Sequence, residues 1–135
     1  MKLTTNFKLS EFIKSNFFDK KSQELVIKEY NNNKDIQNNI QKLADNLQIL
    51  RNKINKPINI NIAYRPLFWE LKQGRNGNSQ HTLGKAADIV VKGISTKELY
   101  NIIENLINSR EMLQGGLGLY NNFIHYDIRK NKARW

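Results

Sequence analysis

The sequence contains no cysteine and only two histidines and two prolines in 135 residues. Without cysteine there is no disulfide framework, thiolate metal site or cysteine nucleophile, so any bound metal must take nitrogen and oxygen ligands. A long apolar run is also lacking: Met1 to Leu9 includes Thr4, Thr5 and Asn6 where a signal peptide needs apolar residues. We therefore expect a protein without a signal peptide, made in the cytoplasm and not inserted into a membrane.

Acidic residues are scarce, with 12 Asp and Glu against 22 Lys and Arg, a net charge of +10. This excess predicts a polyanionic partner, which could be nucleic acid or an anionic bacterial wall, unless it is only a lysine-rich solvated surface. No predicted helix combines basic residues with interleaved aromatic residues, so we expect no specific nucleic-acid partner. The length and the 39% hydrophobic content predict one globular domain over residues 1–135, a monomer.

The first third of the chain has the periodicity of helices. Short helical segments are predicted over Leu9 to Ser15 and Ser22 to Tyr30, and Asn33 or Asp35 could cap the helix that follows. The apolar stripe of that helix recurs at steps of three and four residues: Ile36, Ile40, Leu43, Leu47 and Leu50.

After Pro57 the period changes to two, which predicts a strand ending near Arg65. Residues 67–79 lack periodicity and are predicted to form a loop, followed by a strand over residues 87–91. Ser95 and Glu98 fit a capping box that opens another helix. Residues 117–120 and 123–128 are predicted to pair as a hairpin.

Both histidines lie where an imidazole could bind a metal. His81 stands near a loop end, and Asp88 enters a strand seven residues later, so the two side chains can converge on one ion. Strand alternation places His125 and Asp127 on one face of a second strand. Two imidazoles and one carboxylate around Zn²⁺ would leave a position for water, although a single histidine is more often a hydrogen-bonded structural residue.

Several blocks of the sequence resemble the M15 peptidases, the D-alanyl-D-alanine carboxypeptidase and murein endopeptidase family. Residues 79–88, SQHTLGKAAD, resemble the motif S-x-H-x-x-G-x-A-x-D. Residues 9–12 resemble the amino-terminal signature of short members, residues 62–65 their S-x-Y-R strand end, and residues 115–120, 123–127 and 133–135 the carboxy-terminal block. The resemblance spans nearly the whole chain.

This resemblance implies a small α+β domain of the Hedgehog/DD-peptidase type, with an antiparallel sheet and amino-terminal helices packed on it. It implies a peptidase that cleaves bacterial peptidoglycan, in stem peptides or cross-links, as a carboxypeptidase or an endopeptidase of phage lysin, virion or bacterial origin. One Zn²⁺ ion would be held by His81, Asp88 and His125. Arg65 would hold a substrate carboxylate or carbonyl oxygen.

Four further residues are weaker candidates for substrate binding. Ser79 and Gln80 could form hydrogen bonds at the site, or they could only cap the loop before His81. Tyr64 and Tyr120 could line the cleft, or they could belong to the core.

The sequence departs from the family pattern at two positions. Asn122 occupies the place where many members carry a carboxylate as general base, and Ala63 replaces the serine of S-x-Y-R. Asp127 is the best substitute as a proton shuttle, because it shares the face of His125. Two alternatives stay open: Asp127 could instead hold a ligand histidine in place, and the protein could be a catalytically inactive wall-binding or virion structural module.

Overall fold

A computed structural model describes residues 1–135 as five α-helices, a short 3₁₀ helix and a five-stranded sheet. The helices are α1 (Ser10–Ile13), α2 (Lys20–Asn31), α3 (Lys34–Ile54), α4 (Leu67–Lys72), the 3₁₀ helix (Gln80–Leu83) and α5 (Thr96–Asn108). The strands are β1 (Asn59–Ile62), β2 (Ala86–Val90), β3 (Gly116–Leu119), β4 (Ile124–Asp127) and β5 (Ala133–Arg134).

The two long helices begin where their caps predict. The Asn33 side chain accepts a hydrogen bond from the Ile36 amide at the start of α3, and the Ser95 hydroxyl accepts one from the Glu98 amide at the start of α5. Helix α3 ends at Asn55, whose φ of 52° is left-handed. All five residues of the predicted stripe of α3 are buried. The predictions for both helices are confirmed.

Helix α4 is a departure from the sequence-based prediction, which placed a loop over residues 67–79. Its six residues are too few to show a helical period, and its packing decides its conformation. Trp69 and Glu70 are buried, and their amides donate hydrogen bonds to the carbonyl of Pro66. The loop prediction holds only for the part after Lys72.

The strands are ordered β1-β2-β4-β3-β5, and every pair is antiparallel except β3 with β5. The predicted α+β class and the predicted hairpin of β3 and β4 are therefore confirmed, whereas the parallel edge strand β5 departs from a purely antiparallel sheet. Strand β2 lies between β1 and β4, where Asp88 is paired with Ile62 on one side and with His125 on the other.

One hydrophobic cluster joins the sheet to helices from both ends of the chain. It includes Leu43 and Leu47 of α3, Ile103 of α5 and Ile89 of β2, all with no exposed surface. None of the helices is long and apolar enough to cross a membrane. The packed sheet gives rigid support to the polar side chains that β2 and β4 carry.

Candidate metal centre and active site

The pairing of β2 with β4 brings two of the three predicted metal ligands together. Asp88 and His125 are direct cross-strand partners, and Asp88 Oδ1 lies 3.1 Å from His125 Nδ1. Directly opposite residues in an antiparallel pair project to the same face, with Cβ atoms about 5 Å apart. Two short polar side chains in this register therefore meet without distortion of either strand.

The third predicted ligand, His81, comes from the 3₁₀ helix between α4 and β2. The Ser79 hydroxyl accepts a hydrogen bond from the His81 amide at the start of this helix. His81 Nε2 lies 3.3 Å from Asp88 Oδ1. One ligand atom each from His81, Asp88 and His125 can be chosen so that all three lie within 4.8 Å of one another. The three predicted ligands therefore form one cluster.

Gly84 closes the turn that carries His81. Its φ of 72° favours glycine, and a Cβ there would lie 3.1 Å from Ile40 Cγ1 and 3.3 Å from the Ile36 carbonyl oxygen. Atoms of helix α3 therefore lie close to the position that a side chain at residue 84 would occupy, and α3 packs against the turn.

Hydrogen bonds on the outer side of each imidazole determine which nitrogen faces the cluster. His81 Nδ1 lies 2.7 Å from the Ala63 carbonyl oxygen, which can only accept, so Nδ1 carries the hydrogen and Nε2 presents a lone pair. His125 Nε2 lies 2.7 Å from Asp127 Oδ2, so its Nδ1 faces Asp88. Both rings thus have the orientation that a metal-binding histidine acquires from a carbonyl or carboxylate partner.

Asp127 lies behind His125, on the side away from Asp88. Its side chain is completely buried. Its Oδ1 accepts hydrogen bonds from the Gly116 amide at 2.8 Å and from Arg129 Nε at 2.8 Å, and its Oδ2 accepts one from Arg129 Nη2 at 2.7 Å. A side chain on Gly116 would collide with this carboxylate. All of these contacts hold Asp127 in one position.

The charges of the cluster favour a bound cation. Burial alone would raise the pKa of Asp88, but its polar contacts with His125 and His81 lower it to about 2. Burial would lower the pKa of His125, yet hydrogen bonds to Asp127 and Asp88 raise it above its ordinary value. For Asp127, the hydrogen bonds from His125 and Arg129 outweigh burial and hold the pKa of this carboxyl well below its usual range. The site therefore keeps its carboxylates ionised and attracts positive charge.

These residues fit a zinc ion. Two imidazole nitrogens and one carboxylate oxygen are a known ligand set of catalytic zinc, and the converging atoms have no hydrogen-bond donor between them when both histidines are neutral. A cation at this point would take the place of the proton that His125 otherwise shares with Asp88. The predicted ligand set is thus compatible with the donor chemistry of the site.

A cleft of about 360 Å³ opens over the cluster. Four predicted substrate-binding residues line it: Arg65, Ser79, Gln80 and Tyr120. Tyr64, which was also predicted to line the cleft, lies in the hydrophobic core and is 2% exposed. Its amide donates to the Phe12 carbonyl, which connects this part of the chain to α1. The core alternative therefore describes Tyr64.

Asp88 is the only carboxylate among the residues that line this cleft. Asn122 is exposed in the turn between β3 and β4 and does not line it. Asp127, the predicted proton shuttle, has no surface in the cleft, so the structure brings it to His125 but not to the open side of the cluster. This placement matches the alternative in which Asp127 holds the ligand histidine.

Trp135 is a cleft residue that had no assigned role in the sequence-based interpretation. Its ring centre lies 5.0 Å from that of His125, and its Nε1 donates a 2.7 Å hydrogen bond to the Tyr120 hydroxyl. The ring rests on Gly118, where a Cβ would lie 2.6 Å from it. Pairing of β5 with β3 delivers Trp135 to this place, and a two-residue strand gives no periodic signal in the sequence.

Glu70 was also missed. It is 1% exposed and pairs with two guanidinium groups: its Oε1 lies 3.3 Å from Arg65 Nε, and its Oε2 lies 2.8 Å from Arg75 Nη1. The only signal in the sequence is one acidic residue inside the apolar segment of residues 67–71. Such a residue is normally exposed unless it is paired, and here the pairing explains its burial.

A buried cluster of histidines and a carboxylate under an open cleft, on an α+β domain, defines a candidate metal-dependent enzyme. The family model for Peptidase M15 matches residues 6–127, and the chain belongs to this family. No curated protein matches the chain significantly. M15 peptidases are metallopeptidases, so membership and the cluster together support a peptidase with a metal site at His81, Asp88 and His125.

Proposed function

We propose that this protein is a zinc-dependent peptidase that hydrolyses peptide bonds in bacterial peptidoglycan. The observation that carries this proposal is the convergence of His81, Asp88 and His125 at the floor of the cleft, in a chain of the M15 family. These residues would hold one Zn²⁺ ion. When bound, zinc supplies polarisation of a carbonyl group and a water with a pKa of about 7.

Arg65 is the residue best placed to hold a substrate oxygen. It lines the cleft, its Nη2 donates to the Ser79 hydroxyl at 3.3 Å, and Glu70 lies against its Nε. These contacts fix the guanidinium, so binding a carbonyl or carboxylate oxygen costs little side-chain entropy. Its pKa is lowered by burial, but the nearby Glu70 and Asp88 oppose this change and favour the charged form.

Gln80 supplies a second polar contact for a substrate. Its Oε1 is buried and has no hydrogen-bond partner in the protein. A buried acceptor without a donor is costly, roughly 1–3 kcal/mol, and a rotation of the side chain that brings Oε1 to a peptide N–H of the substrate would remove this cost. In this proposal Gln80 binds the peptide backbone and Arg65 binds a substrate oxygen, since both residues line the cleft.

The net charge of +10 supports a wall substrate, because a cationic protein concentrates at an anionic surface without recognising a sequence. This attraction is screened by salt, with a Debye length of about 8 Å at physiological ionic strength. Binding to isolated walls should weaken as salt is added, and cleavage of small soluble peptides should change much less.

A second candidate function is a catalytically inactive module that binds the wall or a virion component. The observation that favours it is the lining of the cleft, where the only carboxylate is the ligand Asp88. Asp127 holds His125 and has no surface in the cleft, so no second carboxylate is placed to take a proton from water. Metal binding without hydrolysis would be the property of such a module.

The test combines metal analysis with digestion of purified peptidoglycan. The wild-type protein should bind one zinc per chain and release new amino groups from the wall. His81→Ala should lose both properties, whereas Leu83→Ala, in the same turn but 44% exposed, should keep both. Full digestion by His81→Ala would refute the proposal. Zinc binding without released amino groups, beside a working control peptidase, would establish the inactive module.

A further inference from the structure

A second pocket of about 210 Å³ adjoins the cleft. Arg65, Asp88 and Phe123 line both pockets, so a peptide that crosses the cluster would place neighbouring residues in the two. The remaining lining of the second pocket differs in chemistry from that of the first: Phe17, Asn61, Ile62, Trp69 and Arg75. A role for this pocket in peptide binding rests on the proposed function.

The body of this pocket is apolar. Trp69 is buried and packs edge-on against Phe18, with ring centres 5.2 Å apart, so its position is fixed by the core. Phe123 is stacked on Tyr120, with ring centres 4.4 Å apart. Phe17 also lines the pocket and is 67% exposed, so its ring is accessible to a bound residue. The occupant therefore has an apolar portion.

The charged part of the pocket is positive. Arg65 and Arg75 share one carboxylate, that of Glu70, which leaves one positive charge uncompensated. The only carboxylate that lines the pocket, Asp88, lies within 3.3 Å of both histidines and belongs to the metal cluster. A bound group that neutralises the uncompensated guanidinium charge must be negative.

Arg75 is the cation that is free to receive this group. Half of its side chain is exposed, and among its guanidinium nitrogens only Nη1 has a protein acceptor, Glu70 Oε2. Its guanidinium lies 5.3 Å from the Trp69 ring centre, which adds a cation–π contact and limits its movement. The Nε and Nη2 groups remain available as the paired donors that match a carboxylate.

We propose that the second pocket is a specificity subsite for a peptide residue with an apolar stem and a side-chain carboxylate, and that Arg75 recognises the carboxylate. The aromatic residues Phe17, Trp69 and Phe123 contact the stem. Glu70 is a positioning residue that separates the two guanidinium groups, so that Arg65 serves the cleft over the cluster and Arg75 serves the second pocket.

The test uses short alanine peptides that carry one glutamate, and the same peptides with glutamine, at each position in turn. Dissociation constants are measured with the zinc-loaded protein, and kcat/KM is measured where cleavage occurs. At one position, wild type should prefer glutamate over glutamine by about tenfold or more, the gain expected of one charge-assisted contact. Arg75→Gln should reduce this ratio to about one, and Arg75→Lys should keep part of it.

The control is Lys72→Gln, an exposed cation at the end of α4 that does not line the pocket, and this variant should keep the wild-type ratio. Equal affinity of wild type for both peptides at every position would overturn the inference. An unchanged ratio in folded Arg75→Gln would also overturn it. Because binding and cleavage are measured separately, a protein that binds glutamate peptides selectively but releases no amino groups from peptidoglycan would contradict the proposed peptidase and support the subsite.

Discussion

Replacement of Asp127 by asparagine separates two roles for this residue, the positioning of His125 and the transfer of a proton. An asparagine keeps the size of the side chain but replaces one acceptor oxygen by an NH₂ group. Every neighbour of that carboxylate is a donor, including His125 Nε2 and Arg129 Nη2 at 2.7 Å. An NH₂ group in place of Oδ2 would therefore replace two hydrogen bonds, those from His125 Nε2 and Arg129 Nη2, by contacts between donors.

The expected magnitude follows from these contacts. Loss of the partner of a metal-binding histidine typically lowers metal affinity by roughly 10–100-fold, or about 1.4–2.7 kcal/mol. Removal of one partner of a buried ion pair destabilises a protein by roughly 3–5 kcal/mol. Arg129 is partly exposed, so we expect a fall in the free energy of unfolding near the lower end, about 3 kcal/mol.

Zinc affinity is measured by competition with a chelator, and stability by urea unfolding of the metal-free protein. The control is Asp45→Asn, at an exposed position of α3 where the carboxylate contacts only Gln41. Zinc affinity within about twofold of wild type in folded Asp127→Asn, together with lost hydrolysis, would refute the positioning role. That result would instead support Asp127 as the proton shuttle.

Three further predictions concern the cleft, the edge strand and the core. Gly118→Ala should displace the Trp135 ring, because the new Cβ would lie 2.6 Å from it, and should change the tryptophan fluorescence and lower activity severalfold; an unchanged spectrum and rate would contradict this. The hydrogen bond from Arg134 lowers the pKa of Glu104 below its ordinary value, so the unfolded state binds more protons. Stability should therefore fall as pH is lowered from about 5 through the folded pKa, and thermal unfolding of Glu104→Gln should lose this part of the pH dependence. Leu47→Ala should cost about 2–5 kcal/mol in urea unfolding, because Leu47 has no exposed surface; a cost below about 1 kcal/mol would contradict the close packing of this core.

The elements that were predicted from the sequence are those whose signal is local. In α3 and α5 the cap residue and the apolar stripe are close to one another in the sequence. The two strands of the β3–β4 hairpin are also close in the sequence. Helix α4 and strand β5 gave no such signal. Their conformation depends on contacts with distant parts of the chain, including the two hydrogen bonds by which Arg134 binds Glu104 of α5.

The same distinction applies to the site. His81, Asp88 and His125 could be chosen from the sequence because the chain has only two histidines and both lie in family-like motifs. The role of Asp127 could not, because alternation places it on the face of His125 without saying which side of the ring it contacts. The pairing of Glu70 with Arg65 and Arg75 depends on how α4 packs, which no pattern in the sequence indicates.

The opposition of Asp88 and His125 across β2 and β4 has a consequence for how the molecule folds. A slip of one residue in this pairing would exchange the core face of β4 for the other face, so that Tyr126 would stand where His125 belongs. The ligand set would then be lost as a whole. An ion that binds only the correct pairing stabilises that pairing over the slipped ones, so zinc present during folding would select the strand register as well as complete the site.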